Sequence, residues 1–324
     1  MKITVDLAAI YHNAVFVRKS SGVALCAVVK SDAYGHGLEE TVRALDGVAD
    51  FFAAATYGEA LRIRKTGVKS DVFILGADGT NGERNIIPTV VSLDDYAGKS
   101  RLARFSVAVN TGMNRYGLNP NELEMIAKNG KIKAFSVFSH IFNAKYALKQ
   151  AEIFNMACDR FEPYTLRHLY ASNYAFAENK YDFIRAGIAL YGYGYEGGER
   201  AMTVEAKVVR VAFVKAGEFI GYGDCVTPCD MEIATVDAGY GDGYPRLRKG
   251  EERHAVINGF RVKIIGQVCM DAFFADVTGL KVKAGDDVVL IGDDYDAADA
   301  AKERSTIAYE VLTSFKPRQA VEYK

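Results

Sequence analysis

The feature that most restricts this chain is a rhythm in its first 190 residues. Short apolar, often β-branched runs recur eight times: "ALCAVV" (24–29), "DFFAAA" (50–55), "VFIL" (72–75), "TVVSL" (89–93), "FSVAV" (105–109), "AFSVF" (134–138), "HLYA" (168–171) and "FIRAGIAL" (183–190). Segments between them, such as "LEETVRALDG" and "YGEALRIRKTG", carry apolar residues at i, i+3 and i+4 and close on glycine. That is the pattern of an amphipathic helix ended by a left-handed cap. Eight strands alternating with helices predict an α/β fold, a (β/α)8 barrel. An open doubly wound sheet is the alternative, but no G-x-G-x-x-G follows an early strand.

After "YGYGYEGGER" (191–200) the rhythm changes. "VEAKVVRVAFV", "EIATVDAGY", "HAVI", "RVKIIGQVCM", "AFFADV" and "DDVVLIG" follow with little helix between them, and a helix-like tail, "DAAKERSTIAYEVLTSF", closes the series. The chain is therefore expected to hold a barrel over 1–198 and a mostly β domain over 199–324.

Lysine plus arginine (40) balances aspartate plus glutamate (41), which gives no electrostatic case for nucleic acid or a membrane surface. No apolar run approaches the roughly 18 residues of a membrane span. The N-terminus lacks the apolar core of a secretory signal, and the five cysteines are scattered, so reduced thiols in a cytoplasm are expected. No His or Cys pair at ligand spacing accompanies Cys225 and Cys229, so no metal is expected.

Barrels of this class place their sites at the C-terminal ends of the strands. Lys30, Thr56, Ser92, Asn110, His140, Ser172 and Arg185 each lie at or just beyond a run. Lys30 is the most telling. A partly desolvated ammonium there has a lowered pKa and becomes a nucleophilic amine, able to form a Schiff base with a substrate carbonyl or with pyridoxal phosphate. Position alone leaves a snorkelling surface lysine equally open.

Loops after the seventh and eighth strands often bind phosphate. Here they hold Ser172 and "RAGIALYG", where Gly187 and Ile188 offer backbone amides and Gly187 has no Cβ to keep an anion away. That pairing favours pyridoxal phosphate over an aldolase. Arg185 would then lie near the cofactor ring, where a permanently protonated guanidinium keeps the pyridine nitrogen unprotonated and favours simple proton removal and return. Tyr240, between glycines in "DAGYGDGYPR", and Tyr309 are phenols that could act beside positive charge, although packed aromatics would read the same way.

Assembled, these motifs resemble the alanine racemases, over nearly the whole chain from "ITVDLAAIYHN" to "STIAYEV". "AVVKSDAYGHG" is similar to the family's cofactor-lysine signature. "NTGMNRYG", "SH" (139–140), "RAGIALYG", "GYGDGYPR", "GQVCMD" and "IAYEV" follow in order. The resemblance implies racemisation of L- and D-alanine with two bases, supplying D-alanine for peptidoglycan. Lys30 holds pyridoxal 5'-phosphate and serves one face; Tyr240, reaching in from the partner of a homodimer, serves the other. Arg185 meets the pyridine nitrogen, with His140 and His168 nearby. Tyr34, Ser172, Gly187, Ile188 and Tyr309 bind the phosphate. Arg115 lies near the substrate carboxylate, and Met270 and Asp271 come from the partner.

Three positions depart from the pattern. Many members carry a carbamylated lysine where this chain has Ala108, an arginine where it has Gln267, and a small residue where it has Tyr174. These features resemble the serine racemase branch associated with vancomycin resistance, so a serine or broad-specificity racemase is the alternative of the same fold. Bulky Tyr309 argues for alanine on steric grounds. A pyridoxal phosphate homeostasis protein is the alternative of a different class, but it would lack the β domain.

Overall fold

A computed structural model describes residues 1–178, 180–316, 318 and 320–324. They divide into two compact units, residues 8–33 with 37–199, and residues 1–7 with 34–36 and 200–324.

The larger unit is a parallel barrel. Its strands are Ala24–Val28, Phe51–Ala54, Asp71–Ile74, a split fourth strand (Ile86–Ile87 and Thr89–Val90), Ser106–Ala108, Ser136–Phe138, Leu166–His168 and Phe183–Ala186. Neighbours pair in parallel within two sheets that meet at the split fourth strand, Phe183–Ala186 returns to lie beside Ala24–Val28, and the seventh and eighth strands are joined by the single parallel bridge Ala171–Arg185. The fourth strand is split at Pro88, which has no N–H for the ladder. Lys99 fastens that break: its Nζ donates to Ala77 O and Thr89 O at 2.7 Å and to Asp95 Oδ2 at 2.9 Å.

Helices Leu38–Leu45, Tyr57–Lys65, Leu93–Lys99, Pro120–Ala127 and Ala147–Cys158 follow five of the strands. The seventh and eighth strands run instead into single 3₁₀ turns, Ser172–Tyr174 and Ile188–Tyr191. Helix Leu7–Ser21, which precedes the first strand, packs beside these turns. Asn13 Nδ2 donates to Leu190 O and Glu199 O, and Phe16 stacks on Tyr195 with centroids 5.5 Å apart. The barrel interior is aromatic. Phe73 of the third strand meets Phe183 of the eighth at 5.5 Å and His168 of the seventh at 5.6 Å, contacts that only side chains crossing the interior can make. Burying each such ring contributes about 2–3 kcal/mol.

The smaller unit is one eight-stranded sheet. In spatial order it runs Met231–Val236, Phe273–Asp276, Phe260–Ile265, His254–Ile257, Asp287–Ile291, Met202–Val214, Lys2–Val5 and Glu322–Tyr323. The long strand Met202–Val214 pairs with Asp287–Ile291 through its first half and with Met231–Val236 through its second. Its register shifts near Val208 and Arg210, which closes the first six strands into a ring.

Two differences from the sequence reading stand out. Lys2–Val5 was expected in the barrel, yet it pairs antiparallel with Met202–Glu205 and so belongs to the β unit. The helix-like tail is two helices, Ala297–Glu303 and Ala308–Ser314, separated where Ser305 takes φ +50°. Among the described residues no helix is long and apolar enough to cross a membrane, and no cluster of His, Cys, Asp and Glu is placed to hold a metal ion.

Candidate active site

Lys30 directly follows the first barrel strand, and the chain then makes an unusual turn. Ser31, Asp32, Ala33 and Tyr34 have φ between +52° and +56°. Four consecutive non-glycine residues in the left-handed region cost about 1–2 kcal/mol each, because Cβ crowds the next carbonyl oxygen. Neighbouring side chains hold the turn. Glu59 Oε1 accepts from the Ser31 N–H at 2.6 Å, and its Oε2 accepts from the Ala55 N–H at 2.8 Å. Asp32 Oδ1 accepts from Arg62 Nη2 at 2.8 Å and from the Leu38 N–H at 3.2 Å. Backbone strain maintained by its surroundings in this way concentrates at functional sites.

Lys30 is partly buried at the strand's end. Burial pushes its amine below the usual lysine value; Arg115 and Arg185 act in the same direction, and Glu59 opposes them. His140 is pushed down to about 4, chiefly by burial and then by Arg185, Arg115 and Lys30. These four side chains therefore act on one another, and the barrel's C-terminal end is a concentration of positive charge. Glu59, the carboxylate that acts on Lys30, already has both oxygens engaged by backbone amides.

Arg185 lies inside the last strand, not beyond it, and is 4% exposed. Its Nη1 donates to His168 Nδ1 (2.6 Å) and His168 O (2.9 Å), and its Nη2 to Ser139 O (2.6 Å) and Leu169 O (3.2 Å). No carboxylate is among these partners. Because His168 Nδ1 accepts, its proton sits on Nε2, which donates to Ser136 Oγ at 3.2 Å. Burial, reinforced by Arg185, keeps His168 well below its ordinary value, so the ring is neutral. Burial also lowers Arg185, to about 10, which leaves it a cation at neutral pH.

Ser172 Oγ accepts from the amides of Gly187 (3.0 Å) and Ala189 (3.2 Å). The Ile188 amide between them has no acceptor among the described residues. Arg115 sits on the loop after the fifth strand, which Asn110 organises: its Oδ1 accepts from the Gly112 and Asn114 amides at 3.0 and 3.1 Å. Ala108 is buried in that strand and offers Arg115 no polar brace.

In the β unit, hydrogen bonds join two of the sequence motifs. The Tyr240 N–H donates to Cys269 O (3.0 Å) and the Gly241 N–H to Met270 O (2.9 Å). Arg318 then links Asp242 and Asp271, with N···O distances of 3.3 and 2.6 Å. Tyr240 and Met270 are exposed. Tyr34 and Tyr309 form a separate pair, with ring centroids 5.8 Å apart. Burial raises both phenols above their usual value, which keeps them protonated and able to donate.

Another exposed phenol of the β unit is Tyr222. Tyr222 lines a cavity of about 560 Å3 together with Arg246, Arg248, Lys249 and Lys263 and the carboxylates Asp224 and Glu251. It is 69% exposed. Gly221 before it takes φ +62°, and a Cβ there would lie 2.5 Å from the Phe274 ring, so the loop needs glycine. "IGYGD" sets Tyr222 between two glycines as "AGYGD" sets Tyr240.

Family models described as the alanine racemase N-terminal and C-terminal domains match residues 5–194 and 201–323. The chain belongs to the alanine racemase family. It is 34% identical to an alanine racemase of Citrifermentans bemidjiense, with 98% of this chain and 96% of the relative covered. It is 32% identical to one of Clostridium novyi, over 90% and 86%. Among solved structures, alanine racemase from Bartonella henselae with covalently bound pyridoxal phosphate superposes with a TM-score of 0.92 at 26% identity, covering 100% of this chain and 99% of that one. The enzyme from E. faecalis superposes with a TM-score of 0.87 at 28% identity, over 100% and 98%. The chain is thus an amino-acid racemase of this family, as the sequence motifs implied.

Proposed function

We propose that this enzyme interconverts L- and D-alanine with pyridoxal 5'-phosphate held on Lys30, and that the D-alanine supplies peptidoglycan. The observation that carries the reading is the charge at the barrel's end. Lys30, Arg115 and Arg185 act on one another with no carboxylate paired to either arginine among the described residues. Such a cluster fits an anionic cofactor and an anionic substrate. The unmatched Ile188 amide beside Ser172 is a donor suited to a phosphate oxygen.

In this reading Ser172, Gly187 and Ile188 hold the phosphate, with Tyr34 and Tyr309 as further donors. The cofactor, when bound, withdraws electrons from the substrate and so acidifies its α-proton. Arg185, fixed by four acceptors and still charged, denies the ring nitrogen a proton and limits how much charge builds up. His140 and neutral His168 flank it without adding a competing charge. Arg115 attracts the substrate carboxylate. Lys30 Nζ, its pKa lowered by burial and by two arginines, takes or returns the proton on one face.

The other face needs a second acid–base group, which we assign to a phenol of the partner subunit in a homodimer. There Met270 and Asp271 also border the substrate. Tyr240 is the phenol that the motif reading names. Tyr222, also set between glycines, is the second candidate; its cavity holds Arg246, Arg248, Lys249 and Lys263 beside Asp224 and Glu251.

The test is a panel of L-amino acids, including L-serine, resolved by chiral chromatography. Lys30→Ala should abolish racemisation and borohydride trapping of the cofactor. Phenylalanine at the acting tyrosine should lower turnover about 10²–10⁴-fold, while the other Tyr→Phe variant stays within tenfold. If both tyrosine variants keep near-normal rates, the two-base reading is wrong. Mixing inactive Lys30→Ala chains with inactive Tyr→Phe chains should restore activity if each site draws on both subunits; failure to complement would refute sharing.

A further inference from the structure

The β unit holds a smaller cavity of about 130 Å3 whose charged lining is Arg246, Arg248, Arg253, Arg304, Glu251 and Glu310. Four guanidiniums face two carboxylates, so positive charge is in excess. The carboxylates are also already engaged. Glu251 pairs with Arg253, accepting from Nε at 2.9 Å and from Nη2, while Arg253 Nη1 donates to Pro245 O at 2.6 Å. Glu310, on the exposed rim, accepts from Thr306 Oγ1.

Arg304 is the anomaly. It is 5% exposed, and among the described residues it belongs to no ion pair. Its Nε and Nη2 are buried with no acceptor. The neighbouring Glu303 cannot serve, being bound by His254 Nδ1 (2.8 Å), Tyr295 Oη (2.7 Å) and Arg261. What faces Arg304 is the buried Tyr244 ring, whose centroid lies 5.1 Å from Arg304 Cζ and 4.9 Å from Arg253 Cζ. A tyrosine flanked by two guanidiniums eases the desolvation of a buried cation without neutralising it. Burial lowers the Arg304 pKa, Tyr244 opposes that and Arg253 adds to it, and arginine stays charged at neutral pH.

We propose that this cavity is a binding site for a small oxyanion, with Arg304 as its buried ligand and Arg248 and Arg246 as ligands from the rim. The volume suits an ion the size of phosphate or a short carboxylate, and a guanidinium fork matches the oxygen geometry of either. Thr306, Val311 and Ser314 also line the cavity. Its occupant would therefore fasten helix Ala308–Ser314, which carries Tyr309.

The experiment uses holoenzyme whose cofactor has been fixed by borohydride, so that the cofactor's own phosphate site is filled. Inorganic phosphate is titrated against sodium chloride of equal ionic strength, with unfolding temperature and calorimetric heat as readouts, and parallel arms use sulfate and acetate. The expected result is a saturable rise in Tm of several degrees with at least one oxyanion, near one equivalent per chain, that chloride does not reproduce. Which arm responds identifies the source as tetrahedral oxyanion or carboxylate. Arg304→Met should abolish the response while leaving Tm without oxyanion equal or higher, because it removes an unpaired buried charge. Arg248→Ala, an exposed change that spares the core, should weaken binding roughly tenfold or more. No oxyanion-specific shift in the unaltered enzyme, or the same shift in both variants, overturns the proposal.

Discussion

Ser31→Gly should stabilise this protein, against the ordinary effect of adding a glycine. Ser31 is exposed, and the bond that anchors it, N–H to Glu59 at 2.6 Å, belongs to the backbone and survives the change. Its φ of +54° costs a residue with a Cβ about 1–2 kcal/mol. Glycine does not carry that cost, but it gives up about 0.5–1 kcal/mol of extra chain entropy on folding. The difference is a net gain of about 0.5–1 kcal/mol, or roughly 1–4 °C in Tm for a unit of this size. Glu152→Gly is the control, because Glu152 is exposed within the right-handed helix Ala147–Cys158. There the same residue should cost about 0.5–1 kcal/mol. Urea unfolding at constant m measures both. If Ser31→Gly loses as much as the control, the turn is not left-handed in solution, and the account of how Lys30 is presented fails with it.

Other perturbations test separate parts of the structure. Lys99→Met leaves Asp95 and two carbonyls without their buried cation and should cost about 3 kcal/mol, read from the urea midpoint. Ser136→Ala removes the acceptor for His168 Nε2 and should cost about 1–3 kcal/mol, with a weaker hold on Arg185 visible as faster loss of cofactor. Gly243→Ala would set a Cβ 1.9 Å from Ser314 O at φ +86°, so a loss of about 2–4 kcal/mol is expected on thermal unfolding. For pH, His140 titrates near 4 in the folded chain against about 6.5 unfolded. The folded state then binds fewer protons, so its stability is full above pH 6.5 and falls as pH drops towards 4. The cofactor-free enzyme should lose about 2 kcal/mol between pH 7 and pH 5, and His140→Asn should flatten that slope.

The barrel was legible because its signal is repeated: each short run was ambiguous alone, but eight in alternation with helices leave few other folds. The β unit was legible for the same reason, since short apolar runs such as "HAVI" and "DDVVLIG" recur with little helix between them, and the first half of Met202–Val214 alternates buried and more exposed side chains. "KITV" was not, because four residues cannot announce a partner two hundred positions away. Lys30, Arg185 and Ser172 stood out because their residue types are improbable at strand ends without chemistry. The left-handed turn stayed hidden, since "SDAY" has no glycine to mark positive φ, and tertiary bonds from Glu59 and Arg62 impose it. Arg304 was equally invisible; only packing shows that an arginine in a polar-looking tail is buried without a counter-ion.

The placement of Lys2–Val5 between Met202–Val214 and Glu322–Tyr323 has a consequence for biogenesis. Lys2–Val5 is synthesised long before either of its neighbours. At about 5–20 residues per second, synthesis of residues 202–324 takes roughly 6–25 s, long enough for the barrel to form while that strand waits unpaired. Deleting Lys2–Val5 or Glu322–Tyr323 should therefore impair maturation of the β unit and leave barrel assembly intact, and nascent chains arrested near residue 240, with Phe183–Ala186 clear of the exit tunnel, should already resist protease through the barrel while residues 1–7 are clipped.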